Sequence, residues 1–133
     1  MAASRKYAVE EANRLVKWLT ETFRRIHDGS EAHRRARAEL ETLGRATRAN
    51  GHGDLDRRVR TAEQMVQKRE SELRELFASV AEKDIEVRDI DMGLVDFLGE
   101  RDGKDVWLCW RLGEPEVAHW HEIDRGFKDR KPL

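Results

Sequence analysis

The sequence predicts an α+β fold in which a long antiparallel helical hairpin is followed by a small antiparallel β-meander. Two observations lead to this prediction. Before residue 83, apolar residues recur at alternating spacings of three and four, which is the pattern of helices packed along their length. After residue 84, short alternating runs are separated by turn residues, which is the pattern of strands.

The first helix is predicted from about Val9 to Ala46. Its apolar stripe is interrupted around Gly29, and the sequence does not decide whether this glycine breaks the helix, since glycine costs only about 1 kcal/mol inside one. The turn Asn50–Asp54 contains two glycines and leads into a second helix over Leu55–Val80. The stripe of the first helix begins with Val9, Ala12, Val16, Leu19, Phe23 and Ile26.

Four strands are predicted after the hairpin. They lie around Ile85–Val87, over Leu94–Leu98, over Val106–Arg111 and over Val117–Glu122. The pair Asp102-Gly103 between the second and third strands is a strong signal for a two-residue hairpin turn. We therefore predict a single domain over residues 1–133, with the helical hairpin in 1–83 and the sheet and C-terminal tail in 84–133.

The composition of the chain bears on where in the cell we expect the protein. Charged residues make up 40% of the chain and hydrophobic residues 38%, as is typical of long helices exposed to solvent. No apolar run approaches the roughly 18 residues that a membrane span needs. Cys109 is the only cysteine, so an internal disulfide is impossible. We expect a cytoplasmic protein without a membrane segment.

The sheet register decides which candidate ligands share a face. If Arg111 pairs with Glu116, and Arg101 with Lys104, then His119 and His121 lie on the face of Val95, Phe97, Val106, Leu108, Trp110 and Val117. The other face then carries Leu94, Asp96, Leu98, Trp107, Cys109, Arg111, Ala118, Trp120 and Glu122.

A His-x-His pair on one strand can hold a divalent metal. His119 and His121 are the candidate pair for such a site. The alternative is that one of them packs beside Leu108 and Val106 while the other caps a strand end. Asp96 could add a carboxylate, but only if the turn at Asp102-Gly103 has three residues. We also predict that Glu114, His121 and Glu122 converge at the edge of a cleft between the sheet and the hairpin.

Cys109 lies between Trp107 and Trp110, which favours a small buried hydrophobic role over a reactive thiolate. The sequence has no Ser/His/Asp set, no phosphate-binding glycine loop and no Cys-x-x-Cys pair. The sequence therefore leaves open whether the chain is an enzyme.

Three functional hypotheses follow from the residues. The leading one is a small interaction or ligand-binding protein that forms a homodimer. The first alternative is a metal-dependent enzyme centred on His121 with nearby carboxylates. The second is a nucleic-acid-binding arm, because arginines crowd the predicted helical turn. No aromatic residue interleaves with these arginines and the pI is about 6.5, so a solvated, ion-paired face is the preferred interpretation. They are Arg34, Arg35, Arg37, Arg45, Arg48, Arg57, Arg58 and Arg60.

Several motifs resemble one known family over nearly the whole chain. They are Lys6-Tyr7 with Glu10-Glu11-Ala12-Asn13, Val87-Arg88-Asp89, Gly93-Leu94-Val95-Asp96-Phe97, Val106-Trp107-Leu108-Cys109-Trp110, Gly113-Glu114-Pro115-Glu116, Trp120-His121-Glu122, Gly126-Phe127 and Arg130. Together they resemble the bacterial domain-of-unknown-function family 2203 (DUF2203). The resemblance implies a small cytoplasmic prokaryotic protein of a family without an established activity. It also implies a candidate binding site among the matching positions Asp96, Cys109, Glu114, His121, Glu122 and Arg130.

The chain departs from the family pattern at two positions. Leu98 stands where the family usually has proline, and His119 stands where it often has an aromatic residue. The second departure favours a site built on His121 with Asp96, Glu114 or Glu122 over a clamp of two histidines.

The sequence also predicts a homodimer. A small sheet with large apolar side chains on both faces cannot be sealed by one helical hairpin. Leaving Trp107, Trp120, Leu94 and Cys109 in water would forgo roughly 1.5–3 kcal/mol for each large side chain. We expect a twofold apolar interface of about 1,200 Å² or more, extended by Leu15, Met65 and Phe77 on the helices. Light scattering at micromolar concentration tests this, because a clean 15.6 kDa monomer contradicts the dimer.

Overall fold

The computed structural model describes residues 5–50 and 53–133, with the backbone alone at residue 50. Its helices are α1 (Val9–Asn13), α2 (Val16–Asn50) and α3 (Gly53–Ala81). The strands are β1 (Ile85–Asp89), β2 (Leu94–Arg101), β3 (Lys104–Arg111), β4 (His119–Glu122) and β5 (Lys131–Pro132), and a 3-10 turn covers Phe127–Asp129. The strands form one antiparallel sheet in chain order. The predicted α+β fold of a helical hairpin followed by a β-meander is thus confirmed.

The first long helix is interrupted at Arg14 and Leu15, and α2 continues through Gly29. A Cβ at Gly29 would lie 3.1 Å from the Leu73 Cδ2 atom of α3, so glycine allows a close approach there. Gly51 and His52 of the predicted turn lie outside the described residues. In the part of the chain that is described, no helix is both long and apolar enough to cross a membrane.

Two compact units make up the chain. One contains Met1–Arg24 and Ala78–Leu133, and the other is Arg25–Phe77. Both long helices continue across the boundary, so the predicted division at residue 83 does not coincide with it. That residues 1–133 form a single domain stays a prediction.

The Arg25–Phe77 unit is a two-helix segment with a narrow buried seam. Ile26, Ala36, Leu43 and Ala62 are buried, while other apolar positions of the stripe are only half-buried. Such partial burial is expected where a helix has only one neighbour to cover its apolar face.

The sheet unit has its apolar core on one sheet face. Val95, Phe97, Val106, Leu108 and Trp110 are each at most 4% exposed. The helical segments of the same unit bury Ala12, Leu19, Phe23 and Val80.

The segment before α1 crosses this apolar face beside Phe97. The Tyr7 backbone N–H donates to the Leu98 carbonyl over 2.7 Å, and the Tyr7 hydroxyl donates to the Lys83 carbonyl over 2.6 Å. The Tyr7 ring meets the Phe97 ring edge-to-face, with centroids 5.1 Å apart. The N-terminal segment is thereby tied to the sheet and to the residues after α3.

The predicted register is right for one strand pair and wrong for the next. Arg101 pairs with Lys104 around a two-residue turn, as predicted. Between β3 and β4, however, Cys109 pairs with His119, which shifts β4 by one residue from the predicted register.

The shift arises because the connection from Leu112 to Ala118 is longer than the predicted four-residue turn. Two hydrogen bonds hold this connection in place. The Val117 N–H donates to the Asn13 side-chain oxygen over 2.6 Å, and the Trp110 indole N–H donates to the Glu114 carbonyl over 3.0 Å.

A shift of one residue moves every β4 side chain to the other face. His119 and His121 therefore lie on the face of Asp96 and Cys109, and no three-residue turn is needed to bring Asp96 to them. Glu122 now lies on the face of Val106. The predicted assignment of the two histidines to the Val106 face is wrong.

The second sheet face, which was predicted to need a dimer partner to cover it, is covered within a single chain. Leu94 is 7% and Cys109 1% exposed within a single chain, because the C-terminal tail folds back over them. The Leu133 N–H donates to the Ala118 carbonyl, and Trp107 is half-buried. Trp120 is also half-buried, but the shift of β4 places it on the face of Leu108. Cations stack on both tryptophans, namely Arg88 on Trp107 and Arg101 and Lys131 on Trp120. The homodimer itself stays a prediction.

Replacing Gly99 with alanine should destabilise the sheet unit. A Cβ there would lie 2.9 Å from Leu108 Cγ and 3.2 Å from the Tyr7 carbonyl oxygen, and the backbone atom cannot swing aside. We expect the free energy of unfolding to fall by about 1–3 kcal/mol, the usual cost of overpacking, as measured by urea denaturation. Gly126→Ala is the matched control, because a Cβ there meets nothing within 4 Å. Equal stabilities of the two variants would contradict the tight crossing of Tyr7 over the sheet.

Candidate functional site

Three different ligand-type side chains meet on the tail-covered face of the sheet. Asp96 comes from β2, Cys109 from β3 and His121 from β4, and they are 2%, 1% and 2% exposed. One ligand atom from each residue lies within 4.8 Å of the others. Buried polar groups need partners, so the contacts of each residue show what the cluster can do.

The Asp96 carboxylate is held by a cation and an imidazole. The Arg88 Nε–H donates to Asp96 Oδ2 over 2.9 Å, and the Nε2 atom of His121 lies 3.2 and 3.1 Å from the two carboxylate oxygens. Arg88 is the residue at which the β1–β2 register shifts. Such an irregularity re-aims a side chain, which here brings a guanidinium to the buried carboxylate.

The orientation of the His121 ring is fixed by its other nitrogen. Nδ1 lies 2.9 Å from the Glu122 carbonyl oxygen. A carbonyl oxygen can only accept, so Nδ1 carries the proton and donates it there. The Nε2 atom is then directed at Asp96, where it either shares a proton with the carboxylate or offers its lone pair to a cation.

Cys109 is an unreactive thiol in this setting. Burial raises the pKa of Cys109 to about 12, with a further contribution from the Asp96 charge, while Arg130 acts in the opposite direction. The Arg130 Nη1 atom lies 3.9 Å from the sulfur. Both ring nitrogens of His121 are already engaged, so this histidine is not available as a base for a Cys109 nucleophile.

A second polar cluster surrounds Glu114. Arg130 donates to its two carboxylate oxygens over 3.0 and 3.1 Å, and the Arg111 backbone N–H donates over 2.7 Å. Burial alone would raise the pKa of Glu114, but these donors hold it below its ordinary value. Glu114 likewise raises the pKa of Arg130 against the effect of burial. The pair is a bidentate, partly buried ion pair.

His119 belongs with Glu114 and not with His121. Its Nδ1 atom lies 3.7 Å from Glu114 Oε2 and is buried without a hydrogen-bond partner among the described residues. The two-histidine metal clamp is therefore not formed: of the predicted ligand set His119, His121 and Asp96, the structure brings together the last two.

The predicted convergence of Glu114, His121 and Glu122 is wrong. Glu122 pairs with Lys131 over 2.7 Å on the other side of the sheet, and His121 contacts Asp96 instead of Glu114. Of the six predicted site residues, Asp96, Cys109 and His121 form one cluster and Glu114 and Arg130 an adjoining one. The Glu122 side chain belongs to neither cluster, since it pairs with Lys131.

Arg88 is the site residue that the sequence reasoning missed. It falls inside the motif Val87-Arg88-Asp89, which carried the family resemblance, and this is the only signal that could have pointed to it. Nothing local distinguishes it from the other arginines, because its contact with Asp96 depends on the irregular pairing of β1 and β2.

A pocket of about 370 Å³ opens beside the Asp96–Cys109–His121 cluster. Asp96 and His121 form part of its wall, and the tail residues 123–127 form the facing part. Leu94 and Arg88 complete the lining. This volume lies at the lower end of the range for small-molecule sites.

The arginines near the predicted helical turn are partly ion-paired. Arg34 and Arg35 share Glu31, and Arg45 pairs with Glu41. Such pairs are what the solvated-face interpretation expects. No aromatic side chain occurs between Ile26 and Leu76 to stack on bases, so the nucleic-acid alternative gains no support from this surface.

Replacing Glu114 with glutamine should destabilise the protein in a pH-dependent way. At neutral pH we expect the free energy of unfolding to fall by about 1–3 kcal/mol, because Arg130 stays partly buried but loses its counter-charge. The folded pKa of Glu114 is depressed, so its stabilisation is complete above the ordinary value of 4.5 and disappears as pH falls through the lowered pKa. Urea unfolding of both proteins over the acid range measures this.

Glu116→Gln is the control for the Glu114 variant, because Glu116 is an exposed glutamate in the same connection. It should change stability little at any pH. If the stability difference between the wild type and the Glu114 variant stays constant as pH falls, the charge of Glu114 does not stabilise the protein.

Comparisons with known proteins place the chain in a family. No match was found among the curated proteins, and none among the solved structures. A family model described as "Uncharacterized conserved protein (DUF2203)" matches residues 5–133, which is nearly the whole chain and includes every residue of both polar clusters. The chain belongs to the DUF2203 family.

Proposed function

We propose that the chain binds one divalent transition-metal ion, with zinc as the best fit, through Asp96, Cys109 and His121. The observation that carries the proposal is the meeting of a carboxylate, a thiol and an imidazole within 4.8 Å in a buried place. Thiolate and imidazole ligands favour zinc over the hard cations magnesium and calcium, and a carboxylate is a common third ligand.

The His121 ring is oriented as in metal sites of this type. Histidines that ligate metals almost always donate the other ring N–H to a carbonyl or carboxylate, which fixes the tautomer. The Nδ1–H bond to the Glu122 carbonyl does this for His121 and leaves Nε2 toward Asp96 and Cys109. The Arg88 bond to one Asp96 oxygen is the corresponding support for the carboxylate.

The spacing suits a tetrahedral ion. Bonds of about 2.0–2.3 Å place neighbouring ligand atoms about 3.3–3.8 Å apart. His121 Nε2 lies 3.1 Å from Asp96 Oδ2, and no pair in the cluster exceeds 4.8 Å. Adjustments of about 1 Å or less in these side chains would therefore complete the site.

Three protein ligands leave one coordination position for another molecule. Structural zinc sites usually have four protein ligands, whereas sites that act on a ligand keep one position open. The 370 Å³ pocket lies beside Asp96 and His121, so a molecule can reach that position. These features favour a ligand-binding or catalytic role over a purely structural one.

Two further parts of the proposal have their own support. A reducing compartment such as the cytoplasm suits a site that needs Cys109 as a free thiol, because such thiols stay reduced there. A homodimer through the helical unit would cover Met65, which is 38% exposed.

Metal analysis of the purified full-length chain tests the proposal. We expect about one equivalent of zinc in the wild type. Loss of a residue that only supports a metal ligand weakens metal binding roughly 10–100-fold. We expect a larger loss of zinc affinity in each of three ligand variants, namely Asp96→Asn, Cys109→Ser and His121→Ala. His119→Ala is the matched control, since His119 is a histidine of the same strand outside the cluster. It should keep its zinc.

A measurement on the wild type guards against variants that do not fold. Zinc at a hundredfold excess over its dissociation constant should stabilise the protein by about 2.7 kcal/mol against unfolding, and a chelator should remove the effect. Wild-type protein without metal and without this stabilisation would refute the proposal. The cluster would then be a buried Asp96–His121 pair supported by Arg88.

A further inference from the structure

The pocket beside the proposed metal position is lined by apolar and by charged side chains, which we call its apolar wall and its charged wall. Leu94, Ile123 and Phe127 supply the apolar surface, and Ile123 is 47% exposed although it is a large aliphatic residue. Arg130 holds the Phe127 ring in place, with its guanidinium carbon 4.4 Å from the ring centroid. The apolar wall is therefore built on a side chain that is anchored to the Glu114 cluster.

The charged wall contains two guanidinium groups. Arg88 lines the pocket, is bound to Asp96 through Nε and lies over the Trp107 ring at 4.7 Å. Its side chain is 41% exposed, and no hydrogen bond joins its terminal N–H groups to the described residues. The Arg125 side chain makes no hydrogen bond and no ion pair with the described residues, although its charge contributes to lowering the pKa of Glu122. Asp124 is the acidic neighbour on the rim.

With a metal bound, this pocket has an excess of one positive charge. A divalent ion and the guanidinium groups of Arg88 and Arg125 together carry four positive charges. The carboxylates of Asp96 and Asp124 and the thiolate of Cys109 carry three negative charges. A monoanion would leave the site neutral. A carboxylate also matches the planar fork of a guanidinium with two parallel hydrogen bonds.

We propose that the pocket binds a small molecule with one carboxylate group and an apolar portion. The carboxylate lies at the open position of the metal and against Arg125, and the apolar portion lies against Leu94, Ile123 and Phe127. This inference rests on the proposed metal site, because the charge balance and the open position both come from the ion. It assigns the chemical class of the ligand, which the metal proposal leaves open.

Cobalt replaces zinc in the experiment, because its visible and near-ultraviolet bands report the thiolate and the fourth ligand separately. The full-length chain is loaded with cobalt and titrated with acetate, propionate, butyrate and pentanoate. We expect each acid to shift the visible bands. Each added methylene should tighten binding roughly fourfold until the apolar wall is covered, which corresponds to burial of one methylene group. Butanol, which lacks the charge, should leave the bands unchanged.

Two variants separate recognition by the pocket from simple anion coordination. Arg125→Gln should weaken butyrate binding roughly five- to tenfold and leave the affinity for cobalt unchanged. Lys128→Gln is the control, because Lys128 is an exposed cation of the same tail that does not line the pocket. It should bind butyrate like the wild type.

The outcomes distinguish the two proposals. Absence of a cobalt–thiolate band refutes the metal site and with it this inference. If the cobalt–thiolate band is present but none of the carboxylic acids shifts the visible bands, the metal site stands and the proposed ligand class is refuted. The ligand class is also refuted if all four acids bind with equal affinity, or if Arg125→Gln binds butyrate as tightly as the wild type. Phosphate is titrated as a further probe, and a response equal to that of butyrate has the same meaning. In each case the metal would bind any oxyanion without help from the pocket.

Discussion

The structure of the sheet depends on the need to compensate the buried carboxylate of Asp96. A carboxylate that is 2% exposed loses its hydration and cannot stay ionised without close partners. Its partners come from two other strands, Arg88 from β1 and His121 from β4. Strand β3 lies between β4 and the β2 strand that carries Asp96. The relative register of four strands is therefore tied to one side chain, since a slip of one residue would turn these groups to the opposite face.

Two irregular parts of the sheet and the C-terminal tail contribute to that arrangement. The register shift at Arg88 aims a guanidinium at the carboxylate, and the long connection after β3 sets the register that brings His121 to it. The C-terminal tail then closes the site, because Arg130 bridges the Cys109 sulfur and Glu114. One sheet face is thus an ordinary apolar core, while the other buries a polar cluster beside a pocket. A cluster held by so many contacts is preorganised, as metal and ligand sites require.

Features set by local sequence were predictable. The seams of the helices follow from the spacing of apolar residues, and the turn between β2 and β3 follows from Asp102-Gly103, whose φ angles of 52° and 78° lie in the left-handed region. Asp96, Cys109 and His121 were among the predicted candidates and lie together in the structure, while their role as a site stays a prediction. The predicted sheet face of His121 was wrong, because it was derived from an assumed four-residue turn after β3. His119 was grouped with His121 because the two alternate onto one side of the same strand, but their side chains contact different partners.

By itself the sequence determined the order of helices and strands, the hairpin turn and the residue types available for a site, because periodicity and turn chemistry act over a few neighbouring residues. Tertiary structure alone decided the register of β4, the covering of the second face by the tail and the contact between Arg88 and Asp96. These depend on interactions between distant segments, such as the bond from the Val117 N–H to Asn13, which spans 104 positions of the chain. No local pattern encodes the length of the connection that such a bond selects. The Asp96–Cys109–His121 cluster and its contact with Arg88 depend on the register of four strands, β1 to β4.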